Sequence, residues 1–193
     1  VAREIAALDT KAARWIAAKG AAFDREFNAL VVAGDSAGGN LSSVTAIALR
    51  DKPASLPLRL NIALYPATDR GGTYDSAERL DKVYGLDLAA IEESDFYRGD
   101  KQSWRYRPLL ADLSGVAPTV VVTAGLDPLR DEGRAFAAKL LSSGGPTAFY
   151  EAKGNVHGFA TFRQAIPSAQ EDLSRALSLA GTLLEEEWLP GQD

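Results

Sequence analysis

The sequence predicts an α/β fold, a mostly parallel sheet with helices on both faces. Three observations predict it. Short apolar runs alternate with segments of helical period, the pattern of strands joined by helical crossovers. The runs read as buried strands, and the one at 119–124 is very rich in valine. Glycine and proline punctuate the joins, at Gly20, Pro53, Pro57, Pro66 and Gly144-Gly145-Pro146.

In chain order, residues 2–19 place Ile5, Leu8, Ala12, Trp15 and Ile16 at helical spacing, and Gly20 follows as a stop. Residues 29–33 are the first strand and 38–50 the helix behind it. Residues 58–65 form a second strand, closed by Pro66. Residues 67–106 differ: they are richer in charge and aromatics, with short broken helical patterns and no clear strand. That stretch reads as an insertion lying over a site. Residues 119–124 are a third strand, 131–142 a helix, and 147–152 a fourth strand. A long helix with acid-rich ends covers 168–187. The whole chain reads as a single domain of 193 residues, without an internal repeat or a low-complexity segment.

Composition removes several classes of function. A net charge of −5, with no basic cluster, disfavours a nucleic-acid partner. With no cysteine there is no disulfide framework, thiolate nucleophile or cysteine metal site. A single histidine rules out the usual zinc constellations. No apolar run approaches the length of a membrane span. Without a targeting signal, the cytoplasm is the default location.

The segment N-A-L-V-V-A-G-D-S-A-G-G-N at 28–40 carries the chemistry. A strand turning sharply into a helix at G-x-S-x-G forces the middle residue into a strained backbone and lifts its side chain above the sheet. Ser36 is therefore an accessible nucleophile. The pentapeptide alone is a weak signal; the strand before it and the helix after it strengthen it. In a parallel sheet, chemistry is expected at the carboxyl ends of the strands. Asp127, in G-L-D-P-L-R-D-E-G, follows the third strand, and His157, in G-N-V-H-G-F, follows the fourth. The order Ser, Asp, His is the one expected of a triad on this architecture. A serine hydroxyl needs a base to take its proton as it attacks. Imidazole, with a reference pKa near 6.5, suits that role, and a carboxylate fixes its tautomer.

Plainer readings stand beside these. Asp127 could simply open a turn before Pro128, and Asp131 could cap the following helix. Asp127, nearer the strand end, is assigned to the triad and Asp131 to the cap. Asp35 is read as a solvated or hydrogen-bonding residue rather than a third acid. Tyr74, Tyr84, Phe96, Tyr97 and Trp104 could line an acyl pocket or pack only their own segment, and none is singled out.

Through these motifs the chain resembles the α/β-hydrolase fold and, within it, the hormone-sensitive-lipase-like carboxylesterases. G-D-S-A-G-G-N-L at 34–41 resembles that family's nucleophile elbow. L-Y-P-A-T-D at 64–69 resembles the strand end before its cap, D-P-L-R-D-E-G at 127–133 its acid loop, and H-G-F at 157–159 its histidine loop. The resemblance implies a serine esterase acting on small-molecule esters of short- to medium-chain acids, without metal or cofactor. Ser36 would be the nucleophile, His157 the base and acid, and Asp127 the orienting carboxylate. It also implies a cap-like insertion at about 67–106, and a homodimer surface on the fourth strand and final helix.

One departure stands out. The family carries an H-G-G-G segment upstream of the elbow whose N–H groups complete the oxyanion hole, and this sequence has none. The N–H of Ala37 remains as one donor. The family's first strands are absent too, which implies that this is the C-terminal portion of an esterase and that 29–33 is an apolar sheet edge. Three alternatives remain: an acyltransferase with the same triad, a ligand-binding relative on the same fold, and an inactive fragment.

Overall fold

The computed structural model describes residues 2–93 and 99–185, with side chains from 10 to 20 and from 22 onward. The side chains of Ile5 and Leu8, the aromatics Phe96 and Tyr97, and positions 186 and 187 of the predicted last helix lie outside the described residues.

Four segments join as one parallel sheet in the order β1-β2-β3-β4: Leu30–Asp35, Leu58–Leu64, Thr119–Leu126 and Thr147–Val156. Proline punctuation explains where pairing starts. Pro57, Pro118 and Pro146 directly precede β2, β3 and β4, and proline has no N–H to offer a ladder. Each still offers a carbonyl. These accept the N–H groups of Leu30, Asn61 and Thr119 at 2.8, 2.9 and 2.9 Å, opening the three ladders. The same residue type thus ends a loop and sets the register of the strand beside it.

Alternation along the strands divides the core in two. Val120, Val122 and Ala124 face one side with Leu60 and Ala152, against Ala169, Ala176 and Ala180 of helix α6 (Pro167–Glu185). Val121 faces the other side, against Ala46 and Ile47 of α2 (Ala37–Asp51) and Phe136 and Leu140 of α5 (Arg130–Ser142). A β3 buried on both faces needs apolar residues at successive positions, which is why its sequence runs T-V-V-V-T-A. Helix α1 (Ala2–Ala18) packs on α2. The region 67–106 holds two short helices, α3 (Asp75–Leu80) and α4 (Leu88–Glu93), and no strand among the described residues.

The structure departs from the sequence reading mainly at strand ends. β3 continues to Leu126 and β4 to Val156, beyond their apolar runs. Cross-strand pairing rather than hydrophobicity carries these extensions, with a register shift between Ala124 and Leu126. β1 is an outer strand of the described sheet, as expected, and Val31 on it is 49 % exposed. Among the described residues no helix is long and apolar enough to cross a membrane.

Candidate active site

Ladder register brings the chemistry together. Asp35 pairs with Leu64, so Ser36 and Tyr65 are the next residues on adjacent strands. Leu126 pairs with Val156, so Asp127 and His157 likewise leave their strands side by side. All four stand at the carboxyl edge of one parallel sheet, where side chains escape the pleat and helices begin.

Ser36 has φ 55° and ψ −118°, a conformation that L-residues avoid. The turn that imposes it depends on close backbone approach. A Cβ on Gly34 would lie 2.1 Å from the carbonyl oxygen of Gly38, and one on Gly39 would lie 2.9 Å from Cβ of Pro66. Gly38 itself has room, its nearest contact being the Asp35 carboxylate at 3.9 Å. The second glycine of the pentapeptide is therefore not crowded, whereas Gly34 and Gly39 are. The elbow is tied to the neighbouring strand by Ser36 N–H donating to the Leu64 carbonyl at 2.9 Å. Asn40 Nδ2 donates to the carbonyls of Ala67 at 2.7 Å and Tyr106 at 3.0 Å.

The sequence-predicted residues meet. His157 Nε2 is 2.7 Å from Ser36 Oγ, and its Nδ1 is 2.8 Å from Asp127 Oδ2. Asp127 is wholly buried, and its other oxygen accepts the Leu129 N–H at 2.9 Å. It thus bonds the turn before α5 and the imidazole at the same time. A carboxylate on Nδ1 favours the tautomer that carries its proton there, leaving Nε2 free to accept from the serine hydroxyl. Ala37 is the first residue of α2, and N–H groups in a first helical turn have no acceptor within the helix.

Asp131 does not cap α5. Leu129 occupies the cap position with no side-chain bond, and the Asp131 carboxylate instead accepts Ser76 N–H at 2.9 Å and pairs with Arg130 and Arg134. The sequence offered no sign of this because Ser76 lies far away in the chain. Ser76, fully buried, also donates through Oγ to the Pro128 carbonyl at 2.8 Å, so α3 is docked on the acid loop. Asp35 accepts the Tyr65 hydroxyl at 3.3 Å, the hydrogen-bonding role expected of it. Of the aromatics in 67–106, Tyr74 donates to Asp69 at 2.6 Å, Tyr84 is exposed, and Trp104 packs against the α2–α5 core.

Two residues with a place in this arrangement were quoted in motifs but given no role by sequence reasoning. Tyr65 is buried between His157 and Phe159, with φ 36°. Burial, reinforced by the Asp35 carboxylate, pushes its phenol above the ordinary value, so it serves as a neutral donor. Glu132 is 4 % exposed and accepts the Thr68 N–H at 2.7 Å. A separate groove of about 560 Å³ runs along β1, between α1 and α2, and none of Ser36, Asp127 and His157 lines it. Among the described residues no cluster of His, Asp and Glu could hold a metal ion.

Comparison with known proteins agrees with this fold. A family profile described as alpha/beta hydrolase fold matches residues 6–161. An arylesterase of Saccharolobus solfataricus is 36% identical over 132 residues, covering 65% of this chain and 42% of its own. Carboxylesterase NlhH of Mycobacterium tuberculosis is 31% identical over 175 residues, covering 86% of this chain and 54% of its own. Among solved structures, EstE1, a thermostable carboxylesterase cloned from a metagenomic library, superposes with a TM-score of 0.84 at 30% identity. That match covers 92% of this chain and 63% of EstE1. The chain spans about half the length of the curated relatives it matches.

Proposed function

This chain belongs to the alpha/beta hydrolase fold family, and on that premise we propose that it is a serine carboxylesterase acting on short- to medium-chain acyl esters. The observation that carries the reading is the continuous relay from Ser36 Oγ through His157 to Asp127, at 2.7 and 2.8 Å. Relatives named as an arylesterase and a carboxylesterase support the choice of ester over other acyl compounds.

Ser36 Oγ attacks the ester carbonyl while His157 Nε2 takes its proton, and the carbonyl π pair moves onto oxygen. The Ala37 N–H, at the positive end of α2, donates to that oxyanion. Collapse of the tetrahedral adduct breaks the bond to the alkoxide, which leaves with the proton held by His157. Water then attacks the acyl-serine, with His157 as base, and its proton returns to Ser36 as the acid departs. Asp127 holds the imidazole and stabilises the imidazolium formed in each half.

We assign residues 67–106 as the cap over the acyl site. Its support is the docking of Ser76 on the acid loop and the pairing of Arg107 with Asp69 at 2.6 Å. β4 and α6 are assigned as a homodimer surface, supported by the position of β4 at the sheet's outer edge and by exposed Phe149 and Leu177.

Turnover of p-nitrophenyl butyrate, combined with intact mass after a fluorophosphonate probe, tests the reading. One adduct, mapped to Ser36, with hydrolysis abolished in Ser36→Ala is the expected result. Hydrolysis that survives Ser36→Ala overturns it.

A further inference from the structure

Glu132 occupies a place where a carboxyl is costly. It is the third residue of α5 and its side chain is removed from solvent. Its Oε1 accepts the Thr68 N–H at 2.7 Å, and the Asp69 N–H also points at the carboxyl. The tie is returned through the backbone: Thr68 Oγ1 donates to the Glu132 carbonyl at 2.9 Å. Thr68 is fully buried as well.

The two ends of this tie lead to the two ends of the relay. On one side, Ala67 N–H reaches the Ser36 carbonyl at 3.4 Å, and the Ala67 carbonyl accepts Asn40 Nδ2 at 2.7 Å. On the other, Arg130 N–H donates to the Asp127 carbonyl at 3.0 Å and Leu129 N–H to its carboxylate at 2.9 Å. A path of hydrogen bonds and short runs of backbone therefore joins the elbow to the acid loop without passing through His157. Glu132 is the buried carboxyl in the middle of that path, and Asp127 the one at its end.

We propose that Glu132, as a carboxylate, is a positioning residue that holds the Ser36 elbow and the Asp127 loop at the separation His157 must bridge. The consequence for turnover rests on the esterase reading above; the consequence for structure does not. A carboxylate accepts two N–H bonds, whereas a carboxylic acid must turn one oxygen into a donor. With Thr68 and Asp69 both presenting N–H groups, protonation removes the charge that strengthens both bonds. The groups facing Glu132 are the carboxylates of Asp69 and Asp127 and the phenol of Tyr74, with Arg107 paired to Asp69. Burial first, and then the charges of Asp69 and Asp127, push the Glu132 carboxyl up to about 7 against those two amide bonds. The tie is thus set to loosen when the medium turns mildly acidic.

Two measurements test this. The first is the pH profile of kcat for p-nitrophenyl butyrate in the wild type and in Glu132→Gln. The wild type should lose activity on the acid side with two ionisations, and the variant with one. The variant should also have kcat lower by about tenfold at pH 8, with KM nearly unchanged, as expected of misplaced rather than missing groups. A folded variant with the wild-type kcat and an unchanged acid limb overturns the proposal. The second is NMR of wild-type protein carrying ¹³C-labelled glutamate carboxyls, which needs neither turnover nor a stable variant. One carboxyl should titrate between about pH 6 and 8, with the amides of Thr68, Ser36 and Asp127 shifting at the same midpoint. Absence of such a carboxyl, or amides that ignore it, overturns the proposal. A chain that shows the titration but no ester hydrolysis would contradict the esterase reading and leave the structural coupling standing.

Discussion

Tyr65 meets His157 edge to face, with ring centroids 5.0 Å apart and planes inclined at 62°. The contact exists because Tyr65 is held at φ 36°, a costly conformation for a residue with a Cβ. Its ring also abuts Phe159 at 5.1 Å, its hydroxyl reaches Asp35, and the Ala160 N–H points at its oxygen. One side chain thus braces the histidine loop against the residue beside the nucleophile. The strain persists because each of these contacts depends on the side chain standing where that backbone puts it.

Two substitutions separate ring from hydroxyl. Tyr65→Phe keeps the bracing ring and loses the polar links, so it should cost about 1 kcal/mol of stability with kcat changed less than about threefold. Tyr65→Ala leaves His157 without its edge contact and opens a cavity. It should cost ~3–5 kcal/mol and lower kcat by about 10². Urea denaturation and steady-state kinetics on both variants measure this, and equal losses of kcat would show that the ring is not the brace.

Asp127→Asn tests the tautomer argument. The amide nitrogen can donate to His157 Nδ1, which stabilises the form with its proton on Nε2, where the serine proton must be received. We expect kcat to fall on the order of 10⁴ with a folded protein, because the buried group keeps its shape and its bond to Leu129. Fluorophosphonate labelling of Ser36 should slow in parallel. Labelling at the wild-type rate would separate Asp127 from activation of the nucleophile.

The elbow glycines should differ sharply. Gly34→Ala places a methyl 2.1 Å from a backbone oxygen and Gly39→Ala one 2.9 Å from Pro66, and neither neighbour is a flexible side chain. Each should cost several kcal/mol, on the order of 3 or more, by displacing backbone. Gly38 lies inside α2 with open space around it, so Gly38→Ala should be neutral or stabilising by up to about 1 kcal/mol. Thermal melting of the three variants settles the order.

The strands, their parallel arrangement and the Ser36, Asp127 and His157 positions were legible in sequence because each depends on a local signal. These signals are an apolar run, a proline before a strand, and a polar residue just after its end. What was not legible depends on distant pairing. Asp131 reads locally as a cap, yet its partner is Ser76 in the intervening segment. Tyr65 and Glu132 sit inside quoted motifs, but their roles arise from loops brought together only by the sheet. Gly38 differs again, a residue of the pentapeptide whose open surroundings depend on neighbours that its local sequence does not place. Strand ends at Leu126 and Val156 were missed because hydrogen bonding, not side-chain burial, carries the chain to them.

The titration of Glu132 also fixes the sign of a stability change. Its ordinary value of 4.5 describes the unfolded chain, and burial raises the folded value to about 7. Between these limits the folded protein binds the proton more tightly, so the stabilisation is fully present below 4.5 and lost as pH rises through 7. The gap corresponds to ~3 kcal/mol for a group this deeply buried. Glu132→Gln cannot ionise and escapes that loss. Other groups titrate in both proteins and cancel in the comparison, so the informative quantity is the difference between variant and wild type. From about pH 5 to pH 8, urea denaturation should show that difference moving by ~3 kcal/mol in the variant's favour, even as the variant loses turnover. A difference that stays constant with pH would show that Glu132 takes up no proton in this range and would overturn its assignment as a tie that acid loosens.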